Sequence, residues 1–245
     1  MAYFFIFLTP LINLALFELF FFRNSLFYWC LIISIALILV SVQIISGKKI
    51  FSRDYWNFCI FPVLFSGSLA AYSLLQVGNF TIQLLYLFDA IFIFYYLKNI
   101  YGGRRDEFLE NISSYGNFFT IFFSFAAIYG LSDFLGAPVW ILVLAAAAII
   151  TLIIYQIFWV NRVSLAAAST FMLLSCLTLI EIGWALFFSS FNYNILGLLL
   201  AVCYYVVIGL TRLQISGKAT SRNIRLYLLS GSLSITILLL AAKWV

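Results

Sequence analysis

Histidine is absent from this 245-residue chain, and charged residues make up only 9% of it. Without histidine, the serine–histidine and cysteine–histidine pairs of hydrolases and membrane transpeptidases cannot be assembled, and zinc and haem lose a common ligand. Cys30, Cys59, Cys176 and Cys203 form no CxxC pair. Each lies in or at the edge of a different apolar run, so the thiols read as small buried hydrophobes. The acidic clusters of a membrane prenyltransferase are missing from the corresponding loops. A membrane prenyltransferase neutralises its diphosphate through Mg²⁺ held by several carboxylates at one face, whereas loops 47–54 and 161–164 contain one aspartate between them, Asp54. A rhodopsin-like Schiff base needs a lysine buried in the last span, but Lys243 falls beyond the final apolar run. The expectation is therefore no catalytic residue, no metal site and no cofactor.

What fills the chain instead is apolar. Hydrophobic residues reach 66%, aromatic residues 20%, and the mean hydropathy is +1.15. A soluble domain carries roughly 25% charged residues, so this composition belongs in lipid. Apolar runs of about 20 residues match the hydrocarbon thickness, and backbone groups in lipid must be satisfied within the chain. A transmembrane barrel would show short alternating segments, which these continuous runs are not. The sequence predicts an all-α polytopic bundle of nine spans forming one transmembrane domain, 1–245. The spans cover 3–22, 26–45, 57–77, 80–97, 115–134, 138–159, 163–189, 193–210 and 224–242. The first run lacks a basic leader and a cleavage site, so it reads as a span and not a signal peptide. Gly78-Asn79 and Leu135-Gly136-Ala137 predict tight helical hairpins.

The charges orient the bundle. Eleven of the thirteen basic residues fall in the loops after spans two, four, six and eight: Lys48, Lys49 and Arg53; Lys98, Arg104 and Arg105; Arg162; and Arg212, Lys218, Arg222 and Arg225. Only Arg23 and Lys243 lie on the other side. With short loops, this asymmetry predicts a cytoplasmic N-terminus and an external C-terminus. The net charge of +5 then serves topology and anionic headgroups, so the expected partners are membrane lipids and not nucleic acid. Trp29, Trp56, Trp140, Trp159 and Trp244 sit at span ends, as interfacial rings prefer; Trp184 reads as lying inside span seven.

Span three carries Ser66, Gly67, Ala70 and Ala71, a small-xxx-small pattern that predicts close helix packing. Spans four and eight end in Tyr95-Tyr96 and Tyr204-Tyr205, 109 residues apart. That correspondence predicts two parallel four-helix repeats with span nine extra.

Two acids stand inside spans, Asp89 in span four and Glu181 in span seven. A charged carboxylate at the bilayer centre costs about 3 kcal/mol or more, and intramembrane acids lean toward function. No basic residue is expected at either depth, so the neutral acid is favoured. Tyr86 and Tyr96 share the helical face of Asp89, while Thr178 and Trp184 flank Glu181 one turn either way. These six residues are the candidate proton, cation or structural polar sites. Glu18 is placed at the outer interface near Arg23.

The stretch Glu181-Ile182-Gly183-Trp184-Ala185-Leu186, then Tyr204-Tyr205, Gly209, Arg212, Gly217 and Lys243-Trp244, resembles an uncharacterised family of polytopic membrane proteins. That family, a domain of unknown function, occurs mainly in candidate-phyla bacteria. The likeness covers about the last third of the chain and departs from the family at Ser189-Ser190, where a Leu-Pro step is expected. It implies a bacterial cytoplasmic membrane and no known activity. Three function classes follow. The first is a non-enzymatic membrane component that packs against lipids, a membrane-protein partner or further copies of itself. The second is a proton- or cation-coupled carrier or channel using Asp89 and Glu181. The third is a lipid-modifying enzyme, for which no headgroup-level polar cluster is present.

Overall fold

A computed structural model describes residues 2–102, 107–161, 163 and 165–242. The described chain is all-helical, built from nine long helices: α1 (Ala2–Phe22), α2 (Phe27–Ser46), α3 (Arg53–Ser73), α4 (Asn79–Tyr101), α5 (Glu107–Leu135), α6 (Val139–Val160), α7 (Leu165–Leu186), α8 (Tyr193–Ile215) and α9 (Ser221–Ala241). All but α3 are long and apolar enough to cross a membrane. Arg104, Arg105, Arg162, Lys243 and Trp244, which entered the charge and tryptophan arguments, lie outside the described residues.

The chain divides into two compact units, 1–120 and 121–245. In unit 1 the helices form an antiparallel ladder. Along α1 and α4, Tyr3 meets Tyr101, Phe7 meets Phe94, Asn13 meets Asp89 and Phe17 meets Tyr86. Along α3 and α4, the Phe58 carbonyl accepts from Tyr96, Ser66 donates to Asp89, and Ser73 accepts from Tyr86. Thr9 meets Ser41 and Asn13 meets Ser34 along α1 and α2. For α4 to run antiparallel to α1, the chain must return across the bundle between α2 and α4, and α3 makes that crossing.

Its polarity has a physical reason. Thirteen of the 21 residues of α3 are buried, among them Asn57, Pro62, Ser66, Ser68 and Ser73. A helix enclosed by protein need not match the apolarity of lipid. α3 also starts and ends four residues earlier than expected. The Ser52 hydroxyl accepts from the Tyr55 amide at 3.2 Å, and Asp54 lies in the first turn, where the helix dipole favours an acid. The link to α4 is correspondingly longer than the two-residue turn expected at Gly78-Asn79. Gly78 is extended at φ −90°, and Asn79 already begins α4. The left-handed turn appears instead at Gly136, with φ +59°, between α5 and α6.

Unit 2 packs α6 on α7, α7 on α8 and α8 on α9. Tyr129 of α5 donates to the Gly183 carbonyl of α7 at 2.9 Å. Helix α7 ends at Leu186, three residues short of the expected span, which puts Trp184 in its last turn. Trp184 thereby joins Trp29, Trp56, Trp140 and Trp159 near helix ends. The tyrosine pairs that suggested a repeat do not correspond. Aligned at that offset, buried Tyr96 matches half-exposed Tyr205, and half-exposed Tyr95 matches buried Tyr204. One residue turns a helix by about 100°, so the two pairs present opposite members to their interiors.

Of the two small-residue pairs in α3, Ser66 and Ala70 are buried, whereas Gly67 makes no close approach. A Cβ on Gly67 would meet nothing within 4 Å, whereas one on Gly197 of α8 would lie 2.8 Å from the Ala126 nitrogen and 2.9 Å from the Phe122 carbonyl of α5. Gly197→Ala is expected to destabilise the protein by about 1–3 kcal/mol, the usual cost of overpacking. Gly67→Ala is expected to be neutral or mildly stabilising because it adds a good helix former where there is room. Thermal unfolding in detergent of the two variants checks the contrast, and equal losses would refute it.

Candidate functional site

Asp89 lies midway along α4 and is 1% exposed. Each carboxyl oxygen has a partner on a different helix. Ser66 of α3 donates its hydroxyl to Oδ1 at 2.7 Å, and Asn13 of α1 donates its amide nitrogen to Oδ2 at 2.5 Å. Ser34 of α2 in turn donates to the Asn13 side-chain carbonyl. All four side chains are buried. Among the described residues no charged group pairs with the carboxyl. A second polar contact bridges the same helices near Asn13: Thr9 of α1 and Ser41 of α2 lie 2.6 Å apart, and Ser41 also donates to the Leu37 carbonyl of its own helix.

The local sequence explains the convergence. Thr9 and Asn13 are four residues apart and Ser34 and Ser41 seven apart, so each pair occupies one face of its helix. Two facing polar stripes thus form a seam between α1 and α2, and Asp89 and Ser66 close it from α4 and α3. Such a cluster can hold four helices in register, and it can hold a proton.

The two tyrosines expected around Asp89 serve neighbouring contacts. Tyr86 donates to Ser73 at 3.3 Å, with its ring against Phe17 and Phe20. Tyr96 donates to the Phe58 carbonyl at 2.9 Å and packs on Phe61. Both phenols tie α4 to α3 without bonding to the acid. Glu18 is half-buried and makes no ion pair with Arg23.

Glu181, Thr178 and Trp184 share one exposed face of α7 in unit 2. Thr178 bonds to the Leu174 carbonyl of its own helix at 2.8 Å, and the Trp184 ring lies beside Phe188. Glu181 bonds to no described side chain. The expected polar cluster around Glu181 is therefore a surface stripe, whereas the one around Asp89 is an interior network. Among the described residues, no three His, Cys, Asp or Glu side chains converge as metal ligands.

Asn13, Ser34 and Ser66 were not expected as partners of Asp89. The available signal was depth, since each sits well inside its apolar run, far from either interface. Among the described residues three buried donors lack partners: the Asn57 and Gln76 amide nitrogens and the Tyr204 hydroxyl. No protein-family model matches this chain, and neither does any curated protein or solved structure.

A neutral amide fits the network once the Asn13 amide turns over, because Asn at position 89 can then accept from Ser66 and donate to the Asn13 carbonyl. Asp89→Asn is expected to insert and fold like wild type. Asp89→Leu orphans two donors, at about 1–3 kcal/mol for buried groups in general and nearer 0.6 kcal/mol per bond in bilayers. Unfolding in detergent of both variants tests this, and a misfolded Asp89→Asn would show that the site holds a charged acid paired elsewhere. The tyrosines give an opposite pair of outcomes: Tyr96→Phe should lower stability by about 1 kcal/mol through loss of a bond, whereas Tyr204→Phe should leave it unchanged or raised.

Proposed function

We propose that this chain is a non-enzymatic, multi-pass component of a bacterial cytoplasmic membrane. Its N-terminus is cytoplasmic and its C-terminus external. The observation that carries this reading is the use made of the polar groups in unit 1: both oxygens of its buried acid are taken by side chains of neighbouring helices, and the acid is sealed from solvent. Polar groups spent in this way hold helices together. A carrier would instead keep an acid within reach of water.

The orientation rests on the eleven-to-two division of basic residues. The bacterial setting rests on the likeness of the C-terminal third to polytopic proteins of candidate-phyla bacteria. Membrane lipids are the immediate partners. Glu181, Thr178 and Trp184, exposed along α7, favour a membrane-protein partner or another copy of the chain, since a bare carboxyl within a span is costly in lipid.

Reporter fusions after Val245 and within 102–110 are expected to report opposite sides of the membrane, and a cytoplasmic signal from both would overturn the nine-span orientation. Proteoliposomes containing the purified chain and a pH- or Na⁺-sensitive dye are expected to show no protein-dependent flux. Flux that Asp89→Asn abolishes would replace this reading with the carrier.

A further inference from the structure

We propose that Asn13 is a two-way hydrogen-bond adaptor that makes Asp89 a reversible proton-binding site within unit 1. The proposal goes beyond the packing role given to the network above.

A carboxylate only accepts hydrogen bonds, whereas a carboxylic acid must also donate one. A site that fits one state therefore strands a donor or opposes two acceptors in the other. Asparagine avoids this because its side chain carries both an acceptor and a pair of donors. In the arrangement described, Asn13 turns its nitrogen to Asp89 Oδ2 and its oxygen to Ser34. That order satisfies the ionised acid.

Half a turn about the last side-chain bond of Asn13 exchanges its oxygen and nitrogen in place. The Asn13 oxygen then accepts the Asp89 carboxyl proton, and its nitrogen donates to Ser34 Oγ. The Ser34 hydroxyl, released from the amide, turns to the carbonyl of Cys30 one turn back on α2. Ser41 already makes this kind of bond to Leu37 on the same helix, at 2.7 Å. Ser66 donates to Oδ1 in both states. The carboxyl stays satisfied throughout and no backbone need move. The only chemical change is one proton gained from water or returned to it.

The titratable groups on the surrounding helices leave this proton to Asp89. They are Tyr3 and Glu18 on α1, Tyr28 and Cys30 on α2, Tyr55, Cys59 and Tyr72 on α3, Tyr86, Tyr95, Tyr96 and Tyr101 on α4, and Glu110 and Tyr115 on α5. The nearest phenols bond to Ser73 and to the Phe58 carbonyl. The charged groups toward the ends of these helices, Arg23, Arg53, Asp54 and Lys98, make no bond to the carboxyl. Without a cation beside it, the acid in its sealed interior has the proton as its natural counter-charge.

Infrared spectroscopy of the full-length protein in lipid nanodiscs tests the proposal. At neutral pH wild type should show a protonated-carboxyl stretch that shifts with isotope-labelled aspartate and is missing from Asp89→Asn. Alkaline titration should remove the band and reacidification restore it, with the helical circular dichroism unchanged. Asn13→Leu should move the band to higher frequency, because the carboxyl proton has lost its acceptor. If that variant fails to insert, Ser34→Ala serves instead: it removes the far partner of the amide and should also displace the band. The proposal is overturned by the absence of an aspartate band that depends on Asp89, by a band indifferent to both the Asn13 and Ser34 variants, or by loss of the band on adding Na⁺ at constant pH.

Discussion

Lipid offers no hydrogen bonds, and unit 1 is organised around that constraint. A carboxyl within the hydrocarbon must find its partners on neighbouring helices or pull the helix toward an interface. Asp89 finds them on α1 and α3, and α2 joins through Ser34. The penalty for leaving any one group unpaired makes the register of four helices a single problem with one good solution. Apolar packing alone would not supply this specificity, since aliphatic and aromatic side chains tolerate sliding along a helix interface. The phenylalanines around the network fill the space, and the polar groups fix where each helix stops.

The fold class was legible because apolar length and charge placement are coarse signals that single residues do not disturb. Nine expected segments became nine long helices, eight of them apolar enough to cross a membrane by composition alone. Asp89 also stood out, because a carboxylate in an apolar run needs either a function or a hydrogen-bond partner on a neighbouring helix. Its partners were not. Serine and asparagine occur in many spans for local reasons, and helical periodicity relates residues within a helix but says nothing about which helix stands opposite. Tyr86 and Tyr96 drew attention because they share a face with Asp89, yet a phenol is long enough to reach past the acid to the next helix. Glu181 illustrates the converse: its sequence environment resembles that of Asp89, and only the packing of α7 distinguishes an interior face from an exposed one.

Unit 2 meets the same constraint with less polarity. A Cβ at Gly197 would meet the α5 backbone, and one at Gly209 or Gly231 would collide with Tyr227 or Val206 across the α8–α9 contact. Close approach of this kind draws on dispersion between closely packed helix surfaces, the principal attraction left when lipid competes equally for apolar side chains. Within Ser221–Ala241 only Gly231 is buried, so α9 is held through a few such contacts and otherwise faces outward.

The polarity of α3 bears on how the chain is made as well as on how it stands. Helices leave the ribosome one at a time, and each partitions between the translocon and lipid according to its own residues. α3 brings Arg53, Asp54, Asn57 and three serines to that choice before Asp89 has been synthesised. Its most central serine, Ser66, gains the partner described here only when α4 follows. The nascent chain should therefore hold α3 beside the translocon until α4 emerges and release the two as a hairpin, so that the order of synthesis protects a helix that lipid alone would accept poorly.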